Sequence, residues 1–244
     1  MRTIRVHVEQ ALAAGGEAII TGQAVDHVGR VLRMQAGDAI SLFNGDGNHY
    51  EGRLLEVGKR ELRVAVESSE PAGNESPLPL VLVQGVARGD KMDFIVQKAT
   101  ELGVAAIVPV TTERSEVKLD AGRAEKRLAH WQAVAVGACE QSGRAVVPLV
   151  SPTVALPTWL SSLGDDGRRR LALMPGESHR IGELALDGAG AYLVVGPEGG
   201  LGQRDVDALS LAGFSGVQLG PRILRTETAG LAALAALQSA YGDW

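Results

Sequence analysis

The feature that most limits the possible folds is a change of hydrophobic period across a proline- and serine-rich seam, "SSEPAGNESPLP", Ser68 to Pro79. Before the seam the apolar residues mostly alternate, as half-buried strands require. "TIRVHVE", "EAIITG" and "ELRVAVES" read as strands, and "DAISLFNGDGNHYEGRLLEV" reads as a hairpin whose turn, "NGDGN", offers Asn-Gly and Asp-Gly for positive φ. Between them "AVDHVGRVLRM" places Val28, Val31 and Leu32 on one helical face, with Arg30 and Arg33 off it. After the seam, apolar strands ("LPLVLVQGV", "AAIVPVTT", "RRLALM", "AYLVVG", "GVQLG") alternate with helical stretches, which predicts a parallel sheet covered by helices. The chain therefore reads as α/β: a small β-barrel over residues 1–70, a linker over 71–79, and an α/β domain over 80–244.

In an open α/β sheet, ligands sit outside the carboxyl ends of the strands. Two unusual loops fall there. "GPEGG", Gly196 to Gly200, follows "AYLVV"; "GPRILRTETA", Gly220 to Ala229, follows "GVQL". The glycines let backbone approach a ligand closely, Pro197 stiffens the turn, and Glu198 sets a carboxylate at its lip. A tight turn explains one such loop, but not two on neighbouring strand ends. In the second loop a helix is expected to start near Thr226 or Thr228, with Thr as a cap and Glu227 suited to the positive end of the macrodipole. Arg222 and Arg225 are mildly unfavourable at that end, which points to an anionic partner, a phosphate or a carboxylate.

Charge and composition narrow the field further. The net charge is −5, and neither the first 76 residues nor the remainder is basic overall, which argues against a general polyanion binder and leaves a selective RNA site open. Cys139 is the single cysteine, so no internal disulfide forms. It lies on the apolar face of a helix with Leu128, Trp131, Ala135 and Ala138, as a packed thiol rather than a nucleophile. The five histidines lack metal-ligand spacing, so no metal is expected. No Rossmann fingerprint follows a strand, and there is no P-loop or nucleophile elbow. "RRR", Arg168 to Arg170, reads as a solvated loop. No apolar run approaches the roughly 18 residues that would span a membrane, and a soluble cytoplasmic protein is expected.

Taken together, "LVVGPEGGL" followed by "LGPRILRTETA" resembles the paired cofactor loops of the SPOUT methyltransferases, and specifically the RsmE family of 16S rRNA uridine-N3 methyltransferases. "HVGRVLRM", "RGDKMDFIVQKATELGV", "ERSEVKL" and "ACEQSGR" extend the likeness over nearly the whole chain, while Ser151 to Arg170 carries no matching motif.

The resemblance implies a PUA-like N-terminal domain for RNA, and a SPOUT α/β domain whose C-terminal part contains a deep trefoil knot. It implies S-adenosylmethionine as cofactor, 16S rRNA of the small ribosomal subunit as partner, and a homodimer. The C-terminal helix, with Leu231, Leu234 and Tyr241 on one stripe, would serve either that dimer or the core. Carried over, the cofactor positions are Leu173 and Met174; Gly196, Pro197, Glu198, Gly199 and Gly200; and Leu219, Gly220, Ile223, Leu224, Thr226, Thr228 and Ala229. Leu219, Ile223 and Leu224 would form an apolar slot for adenine. Uridine N3 must lose its proton, and Glu198 or Glu227 is the candidate base; Arg222 or Arg225 would stabilise the uracil oxygens or grip a phosphate. Arg30, Arg33, Arg88, Lys91 and Arg114 are the expected RNA contacts. Two alternatives stand beside this reading: a SPOUT enzyme acting on another rRNA or tRNA nucleoside, and a catalytically silent RNA-binding or assembly factor.

Overall fold

The computed structural model describes residues 3–116, 121–177, 179–184, 186 and 188–244. Val117 to Leu119, the end of the "ERSEVKL" motif, lie outside the described residues. Contacts divide the chain into two units. One is Met1–Glu75 with Cys139–Val147, and the other is Ser76–Ala138 with Pro148–Trp244.

The first unit contains β1 (Ile4–His7), β2 (Glu17–Thr21), α1 (Gln23–Asp26), β3 (Ala39–Phe43), β4 (Asn48–Val57) and β5 (Glu61–Pro71), in the sheet order β1-β3-β4-β5-β2. β1 runs parallel to β3, and the other pairings are antiparallel. All five strands feed one core around Val6, Ile20, Ile40, Leu42, Leu54, Leu62 and Val64, so the sheet curls about it. Alternation was the legible signal: β2 shows strict exposed–buried order along its length. The β3–β4 turn passes through Gly45 and Gly47, at φ 91° and 90°. Beyond α1 the helical-face expectation needs correction. Val25 and Val28 are buried, but Val31 is 69% and Leu32 37% exposed. Residues His27–Val31 form a wide π turn, with Leu32 N donating to His27 O, so positions counted at 3.6 residues per turn rotate off the core face.

The end of the long helix and the segment after it belong to this unit, which accounts for "ACEQSGR". Arg5 donates to Cys139 O at 3.1 Å and Arg144 O at 3.0 Å, and His7 N donates to Glu140. Arg144, its side chain only 6% exposed, pairs with Glu75 at 2.6 Å, and Val146 N donates to the same carboxylate. Removing one partner of a buried pair strands the other. Glu75→Ala is therefore expected to lower unfolding free energy by about 2 kcal/mol, less than for a fully buried pair because Glu75 is partly exposed. Urea unfolding of the full chain measures this, and an unchanged midpoint would show that the pair contributes nothing. The Cys139 thiol is pushed up to about 12 by burial, so it stays protonated, as expected for a packed side chain.

The second unit is the parallel sheet. Its elements are β6 (Leu80–Gly85), α2 (Lys91–Glu101), β7 (Ala106–Thr111), α3 (Ala121–Ser142) as far as Ala138, β8 (Leu149–Val150), β9 (Val154–Ala155), α4 (Leu156–Ser162), β10 (Arg169–Leu173), β11 (Ala191–Val195), α5 (Gln203–Leu211), β12 (Ser215–Val217) and α6 (Thr226–Tyr241). The order is β12-β10-β11-β6-β7-β8, with β9 also on β7, and every pairing is parallel. β6, flanked on both sides, is buried at all six positions. α2 buries Met92, Ile95 and Ala99 and stops before Gly103, at φ 79°. Trp131, Ala135, Ala138 and Cys139 are buried on α3, with Leu128 half-buried.

Two further expectations change here. Arg169 and Arg170 belong to β10, and Arg168 pairs with Asp166 at 2.5 Å while lying over the Tyr192 ring, so the run is anchored rather than a solvated loop. On α6 the buried stripe is Gly230, Ala233, Leu234, Leu237 and Gln238; Leu231 and Tyr241 are half-buried, and Tyr241 donates its hydroxyl to Leu184 O. Among the described residues no helix is long and apolar enough to cross a membrane.

Candidate functional site

Because the sheet is parallel, the carboxyl ends of β10, β11 and β12 lie on one edge, and the loops that leave them line a single cleft of about 1080 Å³. The first loop starts with Leu173 and Met174 and continues through Pro175, Gly176 and Glu177. The second is Gly196 to Gly200, and the third runs from Leu219 into the first turn of α6. Of the carried-over cofactor positions, Gly199 and Thr228 fall outside the lining and the rest are in it. Ile223 is 83% exposed, whereas Leu224 is half-buried. Sequence reading did not single out Glu177 or Gln218, which also line the cleft, although "MPGES" repeats the pattern of a Pro/Gly loop after an apolar strand.

The second loop is held tightly. A Cβ on Gly196 would fall 2.9 Å from Gly200 C and Leu201 N, and Gly200 itself has φ +71°. Arg114 donates to Gly199 O at 3.0 Å. One residue before it in the chain, Glu113 N donates to both oxygens of buried Asp205 at 3.1 Å; Gly202 N donates to Asp205, and Arg204 N to Glu113. This reciprocal clasp fixes the start of α5 against the loop after β7. Neither acid stood out in the sequence, because each is an ordinary surface carboxylate until the fold pairs them.

The expected RNA contacts divide. Arg30 and Arg33 lie in the first unit; Arg30 pairs with Asp26 at 3.1 Å, and Arg33 adopts φ 52°. Arg88, Lys91 and Arg114 lie beside the Gly196 loop and are engaged there. Arg88 N and Lys91 Nζ both donate to Glu198 Oε1, at 3.0 and 2.9 Å, while the Arg88 side chain pairs with Glu116. Lys91 Nζ is also 3.7 Å from Glu227 Oε2, so one ammonium sits between two carboxylates.

These carboxylates are not equivalent. Burial pushes Glu198 upward, but the Arg88 amide and the Lys91 ammonium outweigh it and hold the group below the usual carboxylate range. Glu198 is a latch, accepting from Lys91 at the start of α2 and from the Arg88 amide three residues earlier. Glu227 Oε2 is buried with no hydrogen-bond partner among the described residues, on a side chain that lines the cleft. A depressed carboxyl adds stability above the ordinary carboxylate range and loses it as pH falls through the depressed value. Glu198→Gln should therefore unfold at a lower temperature than wild type at pH 7, and the gap should close as the solution is acidified past that range. Thermal scans of both proteins across pH test this, and a gap that persists at low pH would remove the ionic part of the latch.

The start of α6 departs from the capping expectation. The helix begins at Thr226, but its N-cap, Arg225, makes no side-chain cap, and Thr226 Oγ1 instead bonds to Gly196 O at 2.6 Å. The same oxygen lies 2.9 Å from Gln84 Nε2. Gln84 was not anticipated; its only signal is a polar residue ending an otherwise apolar strand, "LVLVQG". Arg222 and Arg225 are exposed on the cleft and form no ion pair among the described residues, which leaves two cations open to an anion.

A family model described as an RNA methyltransferase domain matches residues 74–238, and one described as an RNA methyltransferase PUA domain matches residues 20–67. The chain is 36% identical over 227 residues to a ribosomal RNA small subunit methyltransferase E of Bacillus subtilis, covering 89% of this chain and 88% of that protein. A crystal structure of the enzyme of that name from Neisseria gonorrhoeae, bound to S-adenosyl methionine, superposes with TM-score 0.92 at 38% identity over the full length of both chains. The structure of a Legionella pneumophila protein in complex with the same cofactor superposes with TM-score 0.95 at 36% identity, again over both full lengths.

Proposed function

We propose, since this chain belongs to the ribosomal RNA small subunit methyltransferase E family, that it transfers a methyl group from S-adenosylmethionine to N3 of a uridine in 16S ribosomal RNA. The observation that carries this reading is the convergence of the three strand-end loops on one cleft. The residues present suit the cofactor. Leu173, Met174, Leu219 and Leu224 offer an apolar wall, the Gly196 and Gly220 loops offer backbone groups at close approach, and Glu177 is a carboxylate available to an amine or ribose hydroxyl.

S-adenosylmethionine, when bound, supplies a methyl group on an electrophilic sulfonium. The chain's task is then to position the uracil, exclude water and accept a proton. Glu227 is the acceptor of the N3 proton, because its Oε2 accepts no hydrogen bond among the described residues and only faces Lys91 at 3.7 Å, while Glu198 is held by two donors. Lys91 places positive charge beside that carboxylate. Arg222 and Arg225 are the cations for the RNA phosphates or for negative charge developing on the uracil oxygens. Arg30 and Arg33, on the exposed turn of the first unit, contribute to the RNA grip. The same reading includes a functional division of the chain at residues 71–79, a threaded C-terminal segment, a cytoplasmic homodimer, and the small ribosomal subunit as the setting.

Mass spectrometry of small-subunit rRNA from a strain lacking this gene tests the proposal. N3-methyluridine should be missing, and purified protein with S-adenosylmethionine should restore it. Loss of a different modified nucleoside would replace the uridine reading, and an unchanged rRNA would overturn it.

A further inference from the structure

Gln84 is used by none of the roles above, yet its position calls for an explanation. It is fully buried near the carboxyl end of β6, where an amide is unfavourable unless it is hydrogen-bonded. Its Nε2 donates to Gly85 O and to Thr226 Oγ1, both at 2.9 Å. Thr226 Oγ1 is in turn 2.6 Å from Gly196 O. A carbonyl only accepts, so the hydroxyl proton points to Gly196, and the Thr226 oxygen must receive the N–H of Gln84.

That ordering fixes the amide, with Nε2 toward Thr226 and Oε1 on the Gly230 side, buried and without a hydrogen-bond partner among the described residues. A leucine would leave no such oxygen. The gain is a tie between the first residue of α6 and the first residue of the Gly196 loop. β6 braces the same loop one residue later, where a Cβ on Gly85 would fall 2.6 Å from Pro197.

We infer that Gln84 is a positioning residue for the cofactor. Acting through Thr226, it holds the Gly196 loop and the start of α6 at a set separation, so the cleft is shaped before S-adenosylmethionine arrives. The inference rests on the reading of this cleft as the S-adenosylmethionine site.

The test is a double-mutant cycle, with Kd for S-adenosylmethionine from titration calorimetry and unfolding temperature measured without ligand. Gln84→Leu and Thr226→Val are each expected to raise Kd about tenfold, and the double variant also about tenfold, because both break one relay. The Gln84→Leu protein trades one unsatisfied buried oxygen for two lost hydrogen bonds, so its unfolding temperature is expected to stay close to the wild-type value. Gln84→Met, unbranched and similar in volume, repeats the measurement if leucine packs badly. Unchanged Kd with a lower unfolding temperature would make Gln84 merely structural and overturn the inference. Multiplication to about a hundredfold in the double variant would overturn the relay through Thr226. A wild-type chain that fails to bind S-adenosylmethionine would overturn the cofactor reading and this one with it, before any substitution is compared.

Discussion

Glu227→Gln is expected to slow methyl transfer at neutral pH by roughly 10²–10⁴-fold, the range for loss of a positioned general base. The amide keeps the size of the side chain and its place in the first turn of α6, but it cannot take the N3 proton. S-adenosylmethionine should bind the variant nearly as well as wild type, because glutamine keeps the volume of this one lining side chain and the loop backbones stay in place. The deficit should shrink as pH rises, since solvent hydroxide removes the N3 proton without help from the protein. Single-turnover rates of wild type and variant across pH decide the matter. A variant with the wild-type rate and pH profile would remove Glu227 from proton transfer. Glu198→Gln supplies the contrast. It loosens a latch made to Arg88 N and Lys91, so its main effect should fall on cofactor affinity and loop stability. A collapse of single-turnover rate in Glu198→Gln alone would exchange the two roles.

The second large effect is expected at Gly196. Its Cβ would sit 2.9 Å from backbone atoms of Gly200 and Leu201, inside van der Waals contact, and no flexible side chain can swing away to make room. Gly196→Val forces the second loop to open, and this is the loop that Thr226 grips through Gly196 O. Kd for S-adenosylmethionine should rise at least a hundredfold, or about 2.7 kcal/mol. The sheet beneath should remain folded, as circular dichroism and a cooperative thermal transition would report. Gly220 makes the comparison informative. It has φ +147° but nothing within 4 Å of its Cβ, so Gly220→Ala carries backbone strain without collision and should weaken binding less. Equal affinity in Gly196→Val and wild type would show that the second loop does not touch the cofactor.

Most of the architecture was legible because it depends on neighbours in the chain. Alternation marked the strands of the curled sheet, and Gly-Pro loops after apolar runs marked the carboxyl edge where the cleft lies. Errors came where a local rule assumed the wrong geometry. Val31 and Leu32 were placed on a helical face by a period of 3.6, and the π turn at His27–Val31 turned them outward. Thr226 has the chemistry of a cap, yet a carbonyl from another loop competes for its hydroxyl and wins.

From sequence alone came the α/β class, the change of pattern at the seam, and the residue types gathered at the strand ends. These follow from periodicity, from the restricted φ of proline and from the freedom of glycine, all of which act over a few residues. Only the tertiary structure separated Glu198 from Glu227, enlisted Lys91 and Arg114 in holding the Gly196 loop, and brought Gln84 into the site. Those roles depend on contacts such as Lys91 with Glu198, 107 residues apart, and Gln84 with Thr226, 142 apart. The strand order that places β6 beside β11 creates such pairs, and no local pattern encodes which distant side chain will complete a hydrogen bond.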